Sequence, residues 1–288
     1  MPPSISLQRC LLLPGLAALC LLQVAMGRAD VPTTDSCASG LGAATIVEGQ
    51  PLAGELQVIS WNIQKAGNAG WAGDLQRLAP GAQLAFIQEA SMQAAIADAL
   101  PATSHQSFAE GYRRGALVTG VMTLSRAKAS LECDLTTQEP WLRTPKATVV
   151  TEFPLAGREE RLLTVNIHAV NFTLGLEHYR AQLAALDEVL QQHRGPVLIA
   201  GDLNTWSGDR LATVTAFMDR HGLKPVTFAP DLRSRVFGQA LDHIFIRGLE
   251  AGAASVVEVD SSDHNPLLVS LSIPPTRLSA PETLLSAF

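Results

Sequence analysis

Basic residues are in short supply: the 288-residue chain carries 21 Lys and Arg against 27 Asp and Glu, a formal net charge of −6 with His neutral. Proteins that grip long nucleic acid usually neutralise its phosphates with a basic stripe. This balance therefore weighs against a processive or tight nucleic-acid binder, while leaving room for a local basic cleft. Cysteine is scarce too, with four in all, and Cys10 and Cys20 lie in an N-terminal apolar stretch. Neither Cys37 nor Cys133 adjoins a Cys, His or Asp grouping of the kind that builds a zinc site or a thiol nucleophile. No internal repeat is evident, which argues against a solenoid or array.

The chain begins with Arg9 ahead of an apolar stretch, Cys10 to Met26, that is interrupted by Pro14, Gly15 and Gln23. A spanning helix wants roughly 20 apolar residues. The pattern reads instead as a signal peptide over residues 1–29, with small residues Ala25, Gly27 and Ala29 offering cleavage positions. A secreted or periplasmic protein is expected, an uncleaved membrane anchor being the alternative. Leu19 before Cys20 argues against lipid attachment. Removing residues 1–29 takes Arg9 and Arg28 and no acid, so the charge becomes 19 − 27 = −8. In an oxidising compartment Cys37 and Cys133 can be joined, two free thiols being the other reading.

Apolar residues make up 47% of the chain and charged ones 17%, enough for a globular core. Residues 30–54, rich in small residues, Thr and Gly without periodicity, read as a linker or poorly ordered arm. Beyond Glu55, apolar runs of strand length occur at Leu56 to Asn62, Gln83 to Glu89, Gly115 to Ser125, Lys146 to Phe153, Arg161 to His168, Val197 to Ala200, Leu241 to Ile246 and Asn265 to Ile273. Those between Gly115 and His168 suggest an antiparallel meander. Helices are expected at Trp71 to Leu78 and Arg210 to His221. Another is expected from Leu176, where Tyr179, Leu183, Leu186 and Leu190 recur on one face until Gly195-Pro196. Strands interleave with helices without a linker-like break, so one catalytic domain, 55–274, is expected, followed by a Pro- and Ser-containing tail, 275–288.

Polar acids, amides and imidazoles recur where these apolar strands end: Asn62, Glu89, Asn166 and His168, Asp202 and Asn204, Asp242 and His243, Asp263 and His264. A strand end places its side chain at a cleft. Each residue alone is more often a turn former, a cap or a satisfied structural group; the shared setting of all of them is the signal. Period-two alternation turns His243 to the face opposite Asp242 and sets it aside.

Trp61-Asn62, Gln88-Glu89, Asn166-Ile167-His168, Gly201-Asp202-Leu203-Asn204, Leu241-Asp242-His243 and Ser262-Asp263-His264-Asn265-Pro266, in that order, resemble the endonuclease/exonuclease/phosphatase superfamily, the deoxyribonuclease I-like group. The segments Asn166 to Gly175, Gly201 to Ser207 and Ser262 to Leu267 also resemble a poorly characterised bacterial subgroup of it. The resemblance spans roughly Glu55 to Ile273. It implies an α/β fold: a four-layered sandwich of two packed, mainly antiparallel sheets flanked by helices, with the site at one rim. It further implies that Asn62, Glu89 and Asp263 hold Mg²⁺ or Mn²⁺, whose hard-cation chemistry suits oxygen donors. Asp242 would orient His264, Asp202 would position or move a proton, and Asn204 and His168 would donate to a phosphate.

The implied activity is hydrolysis of a phosphoester, such as a nucleic acid or a phospholipid headgroup, by a phosphodiesterase or nuclease, secreted or periplasmic on the reading of its N-terminus; a monomer is expected and no protein partner is inferred. A phosphomonoesterase acting on lipid headgroups or nucleotides, including sphingomyelinase-like activity, is the alternative. A non-catalytic binding module of the same fold is a second. No long basic or aromatic insertion of the DNA-repair type is evident.

Overall fold

The computed structural model describes residues 34–42, 49–140, 143–173 and 175–274; the expected signal peptide and C-terminal tail lie outside them. One sheet runs in the order β13-β14-β1-β2-β4-β3, built from β1 (Glu55–Asn62), β2 (Leu84–Ser91), β3 (His105–Arg114), β4 (Leu117–Ser125), β13 (Glu250–Val256) and β14 (Leu267–Ser272). The second runs β5-β6-β7-β8-β12-β9, from β5 (Leu131–Gln138), β6 (Pro145–Pro154), β7 (Arg161–His168), β8 (Val197–Asp202), β9 (Lys224–Pro225) and β12 (Asp242–Arg247). A separate hairpin joins β10 (Arg235–Val236) and β11 (Gln239–Ala240). Pairing is antiparallel except for β1 with β2 and β7 with β8.

Strand β8 shows why the sheets stack as they do. Its side chains alternate. Leu198 and Ala200 enter a core between the sheets with Val58, Phe86, Ile244 and Val269, whereas Val197 and Ile199 face a second core with Leu183, Val189 and Phe217. That second core lies beneath α3 (Glu177–Ala184), α4 (Asp187–Gln192) and α5 (Gly208–Arg220). On the outer face of the first sheet, Leu75 of α2 (Trp71–Leu78) packs with Ile59, Trp61, Ile87 and Leu124. Helix, sheet, sheet and helix make four layers, as the resemblance implied. Each fully buried aliphatic or Phe side chain contributes about 1.5–3 kcal/mol to that stacking.

Three expectations change. The meander is divided: β4 belongs to the first sheet and β6 and β7 to the second, because alternation marks a strand but not its partner. The helix from Leu176 is two, α3 and α4, broken at Ala185–Leu186, although Tyr179, Leu183, Leu186 and Leu190 all still reach one core. The supposed arm is also partly structured. Helix α1 (Thr34–Gly40) is tied to β5 by a Cys37–Cys133 disulfide with 5.8 Å between Cα atoms, and Leu52 bridges Leu155. Cross-linking and burial of Cys37 hold a seven-residue helix whose sequence alone does not announce it.

Candidate active site

Strand register assembles half of the site. Asp202, the last residue of β8, lies opposite His168 of β7 on one side and Asp242 of β12 on the other, so three side chains stand at one level of the second sheet. Gly201 permits this. Its φ is +148°, and a Cβ there would lie 2.0 Å from the Ile167 carbonyl oxygen, so any other residue would drive β8 from β7 just before Asp202.

The first sheet supplies the rest. Asn62 ends β1, and Glu89 sits in a register shift of β2 between Ile87 and Ala90 with φ of +50°, a strained bulge that re-aims its carboxylate. Asp263 and His264 lie on the loop entering β14. That loop is pinned to β1: Trp61 Nε1 donates to the His264 carbonyl at 2.8 Å, Ser262 Oγ donates to the Asn62 carbonyl at 2.7 Å, and His264 N–H donates to Ser262 Oγ at 3.2 Å.

All eight expected residues are brought to one region. Asn62, Glu89, His168, Asp202, Asn204, Asp263 and His264 line one cleft of about 690 Å³. Asp242 is buried behind it, its Oδ2 accepting from His264 Nδ1–H at 2.7 Å. Nε2 of the same ring is 3.9 Å from Asp202 Oδ2, a gap wide enough for a bridging oxygen. Asn62 Nδ2 donates to Asp202 Oδ2 at 3.1 Å, and its Oδ1 accepts from Gln64 N–H at 3.1 Å, which leaves that oxygen one lone pair. Asn204 has a positive φ of +48°; its N–H donates to Asp202 Oδ1 and its side-chain amide to the Ala169 carbonyl, both at 2.9 Å, so one amide hydrogen remains for a substrate.

Burial and charge set the protonation states. Burial disfavours a charged His264, but the carboxylates of Asp242 and Asp202 outweigh it and push the imidazole up to about 10. Burial, reinforced by Asp242, raises Asp202 to about 6 against the opposing pull of His264. Burial and the charges of Lys146, His264 and Lys65 hold His168 well below its ordinary value, hence neutral. Lys146 Nζ lies 2.8 Å from His168 Nε2 and can only donate, so Nε2 is the acceptor and Nδ1 carries the proton.

Sequence reading missed several supports. Lys65 Nζ lies 2.7 Å from Glu89, and Lys146 lines the cleft; neither stands in a distinctive pattern. Arg210, 1% exposed, donates to the carbonyls of Val170, Asn171 and Asn204 and to Thr173 Oγ1, between the rings of Tyr179 and Trp206. It ties together the loops after β7 and β8. Asn166 is a support: buried between the sheets, it accepts from Gln88 Nε2 at 2.7 Å and donates to the Met122 carbonyl at 2.9 Å. His243 faces away, toward Thr205 and Arg233. Arg113 pairs with Glu110 on the surface.

Two groupings suit a cation. Asp202, Asp242 and His264 each offer a ligand atom within 4.8 Å of the others, although the 2.7 Å bond to Asp242 already engages Nδ1 of the ring. Glu89, Asn62 and Asp263 line the same cleft; their oxygens leave that bond intact and form a harder donor set. Glu89 already faces an ammonium group, so its carboxylate is turned toward positive charge.

The model of the endonuclease/exonuclease/phosphatase family matches residues 59–264, a span that contains every residue of the cleft's polar floor. A UPF0294 protein of Vibrio vulnificus is 40% identical over 223 residues, 77% of this chain and 78% of the relative. One from Yersinia enterocolitica is 43% identical over 218 residues, 74% and 82% of the two chains. Among solved structures, an endonuclease/exonuclease/phosphatase from Beutenbergia cavernae shares the fold with a TM-score of 0.62 at 16% identity, covering 79% of this chain and 74% of that one. The chain belongs to the endonuclease/exonuclease/phosphatase family, whose members hydrolyse phosphoester bonds.

Proposed function

We infer that the protein is an exported phosphodiesterase that works with Mg²⁺ or Mn²⁺. The observation that carries the reading is the Asp242–His264 pair at 2.7 Å, whose free Nε2 faces Asp202 across 3.9 Å on the floor of an open cleft. At neutral pH Asp202 is mostly ionised and His264 is an imidazolium, so a proton acceptor and a proton donor face the same gap.

Water in that gap attacks phosphorus while its proton passes to Asp202. One P–O ester bond breaks, its electron pair leaving with the ester oxygen, which takes a proton from solvent. His264 Nε2–H and the free amide hydrogen of Asn204 donate to the phosphoryl oxygens on which charge gathers. Neutral His168 borders the same gap, its Nε2 lying 3.5 Å from Asp202 Oδ2 and 2.8 Å from Lys146 Nζ. A divalent cation on Glu89, Asn62 and Asp263 would serve as a Lewis acid toward the phosphoryl group. The apolar N-terminal run and the Cys37–Cys133 bond, which persists in oxidising compartments, support export.

The test is hydrolysis of bis-p-nitrophenyl phosphate by the purified chain with Mg²⁺ or Mn²⁺, beside the monoester p-nitrophenyl phosphate. Turnover of the diester, abolished by chelator and lowered about 10²- to 10⁴-fold in Asp202→Ala, is expected. Preference for the monoester would move the assignment to a phosphatase, and equal activity of Asp202→Ala would end it.

A further inference from the structure

Beside the catalytic floor the cleft changes character. Its outer wall carries Phe172, Trp206, Val236, Phe237 and Leu241. Among the described residues the exposed large apolar side chains are Met92, Phe172, Leu232, Val236 and Phe237. Three of these five line this cleft, and Leu232 lies on the chain leading into the β10–β11 hairpin. Phe237 is the extreme case, 86% exposed at the hairpin tip, with an edge contact to Trp206 at 6.5 Å between ring centres.

The tip is built at a cost to its own backbone. Val236 pairs with Gln239, so Phe237 and Gly238 form a two-residue turn, with φ of +48° and +79°. Such a turn wants Asn, Asp or Gly at its first position, and Phe is poorly suited to the left-handed region. Folding therefore gives no reason for an aromatic ring here, and packing gives little. An exposed apolar patch beside a catalytic cleft marks a surface for something apolar.

Charge narrows what that is. The chain is acidic, with 27 acidic against 21 basic residues. The arginines nearest the tip, Arg233 and Arg235, are both engaged by Asp231, at 2.8 and 2.5 Å. Among the described residues that line the cleft the basic one is Lys146, held beside His168 on the catalytic floor, which gives a polyanionic strand no basic track along the aromatic rim. A zwitterionic bilayer presents apolar chains a few ångströms beneath a phosphodiester headgroup and repels no acidic protein.

We propose that the Arg235–Ala240 hairpin is a docking tip that inserts Phe237, flanked by Val236 and Phe172, into a zwitterionic phospholipid surface and so delivers headgroup phosphodiesters to the cleft. The substrate half of this statement rests on the phosphodiesterase reading; the docking half does not. Aromatic and aliphatic side chains at such a tip act by burying apolar area at the headgroup boundary.

The experiment compares the wild-type chain with Phe237→Asn, which places the favoured Asn-Gly pair in the turn and so keeps the hairpin folded. Sedimentation with phosphatidylcholine and phosphatidylethanolamine vesicles reads docking, and bis-p-nitrophenyl phosphate hydrolysis reads the site. Wild type is expected to sediment with the vesicles, and Phe237→Asn to bind at least about tenfold more weakly. Hydrolysis of the soluble ester should be the same in both. Wild type remaining in the supernatant, or equal vesicle binding by the two chains, overturns the proposal. So does a short single-stranded oligonucleotide that binds wild type and not Phe237→Asn, because the ring would then be a base-stacking platform. Vesicle binding that depends on Phe237 in a chain inactive on every ester sustains the docking tip and removes the hydrolase reading alone.

Discussion

Asp202 and Asp242 face each other across the β8–β12 ladder, yet only Asp242 is hydrogen-bonded to His264, while Asp202 stands 3.9 Å from the ring's other nitrogen. One carboxylate holds the imidazole and the other is left for chemistry. The split matters because it separates their titrations. Asp202 is raised to about 6 and His264 to about 10.

A bell-shaped pH dependence of kcat/KM follows. Activity should rise as pH increases through about 6, where Asp202 ionises, and fall as it passes about 10, where His264 loses its proton. Asp242→Asn removes the leading charge that keeps the imidazole protonated, so the alkaline limb should move to lower pH and the maximum fall at least about a hundredfold. A pH profile of the variant with an unmoved alkaline limb would dissociate His264 from that limb.

His243 should lower stability in acid. Its Nδ1 lies 3.1 Å from Arg233 Nη1, which can only donate, so the ring must accept there and hold its proton on Nε2, beside Thr205 Oγ1 at 2.7 Å. Burial and the Arg233 charge lower it to about 4 from an ordinary 6.5. Between those values the unfolded chain binds the proton and the folded one does not. Stability is therefore lost as pH falls from about 6.5 toward 4, by at most about 3 kcal/mol. In His243→Gln, whose amide can accept from Arg233 and donate to Thr205, denaturant titrations should show a shallower acid decline.

Arg210 should be intolerant of change. Arg210→Met removes donors from three backbone carbonyls and a hydroxyl at once. We expect a loss of at least about 3 kcal/mol in urea unfolding, with diester turnover lowered in the fraction that folds. Arg210→Lys should recover little, since an ammonium lacks the planar fork that reaches both loops.

Reduction of Cys37–Cys133 should destabilise the fold without touching the site. The bond closes a span of 96 residues, for which chain entropy gives about 4.7 kcal/mol, or a melting temperature lower by on the order of 10 °C. Calorimetry with and without dithiothreitol, matched by the double Cys→Ser variant, checks it. Unchanged melting would mean that α1 contributes nothing through its link to β5.

What the sequence reveals divides by the range of the interaction. Asn62, His168 and Asp202 at the ends of strands, Glu89 near the end of β2, and Asp242 and His264 at or before the start of a strand are readable because a polar side chain bordering an apolar run is a local pattern. Which sheet receives β4 and which receives β6 is not local: both are buried apolar strands, and their partners are decided by packing between layers. Lys65, Lys146 and Arg210 were missed for the same reason. An isolated basic residue in a loop, at a strand start or in a first helical turn becomes informative only once folding sets it against Glu89, His168 or the carbonyls of Val170 and Asn171. The helix at Thr34–Gly40 has no apolar stripe to read and is held by a covalent link from β5.

Polar bonds cross from one sheet's side to the other at Asn62 to Asp202, Gln88 to Asn166, Asn166 to the Met122 carbonyl and His264 to Asp242. The reacting centre thus behaves like a vernier, reading correctly only when two independently paired ladders are aligned. Sliding one against the other by a fraction of an ångström would leave each half intact and the alignment lost. Side chains deep in the central layer, such as Phe86 and Ile244, are far from any phosphate but set that alignment. Conservative replacements there should show up in turnover before they show up in melting.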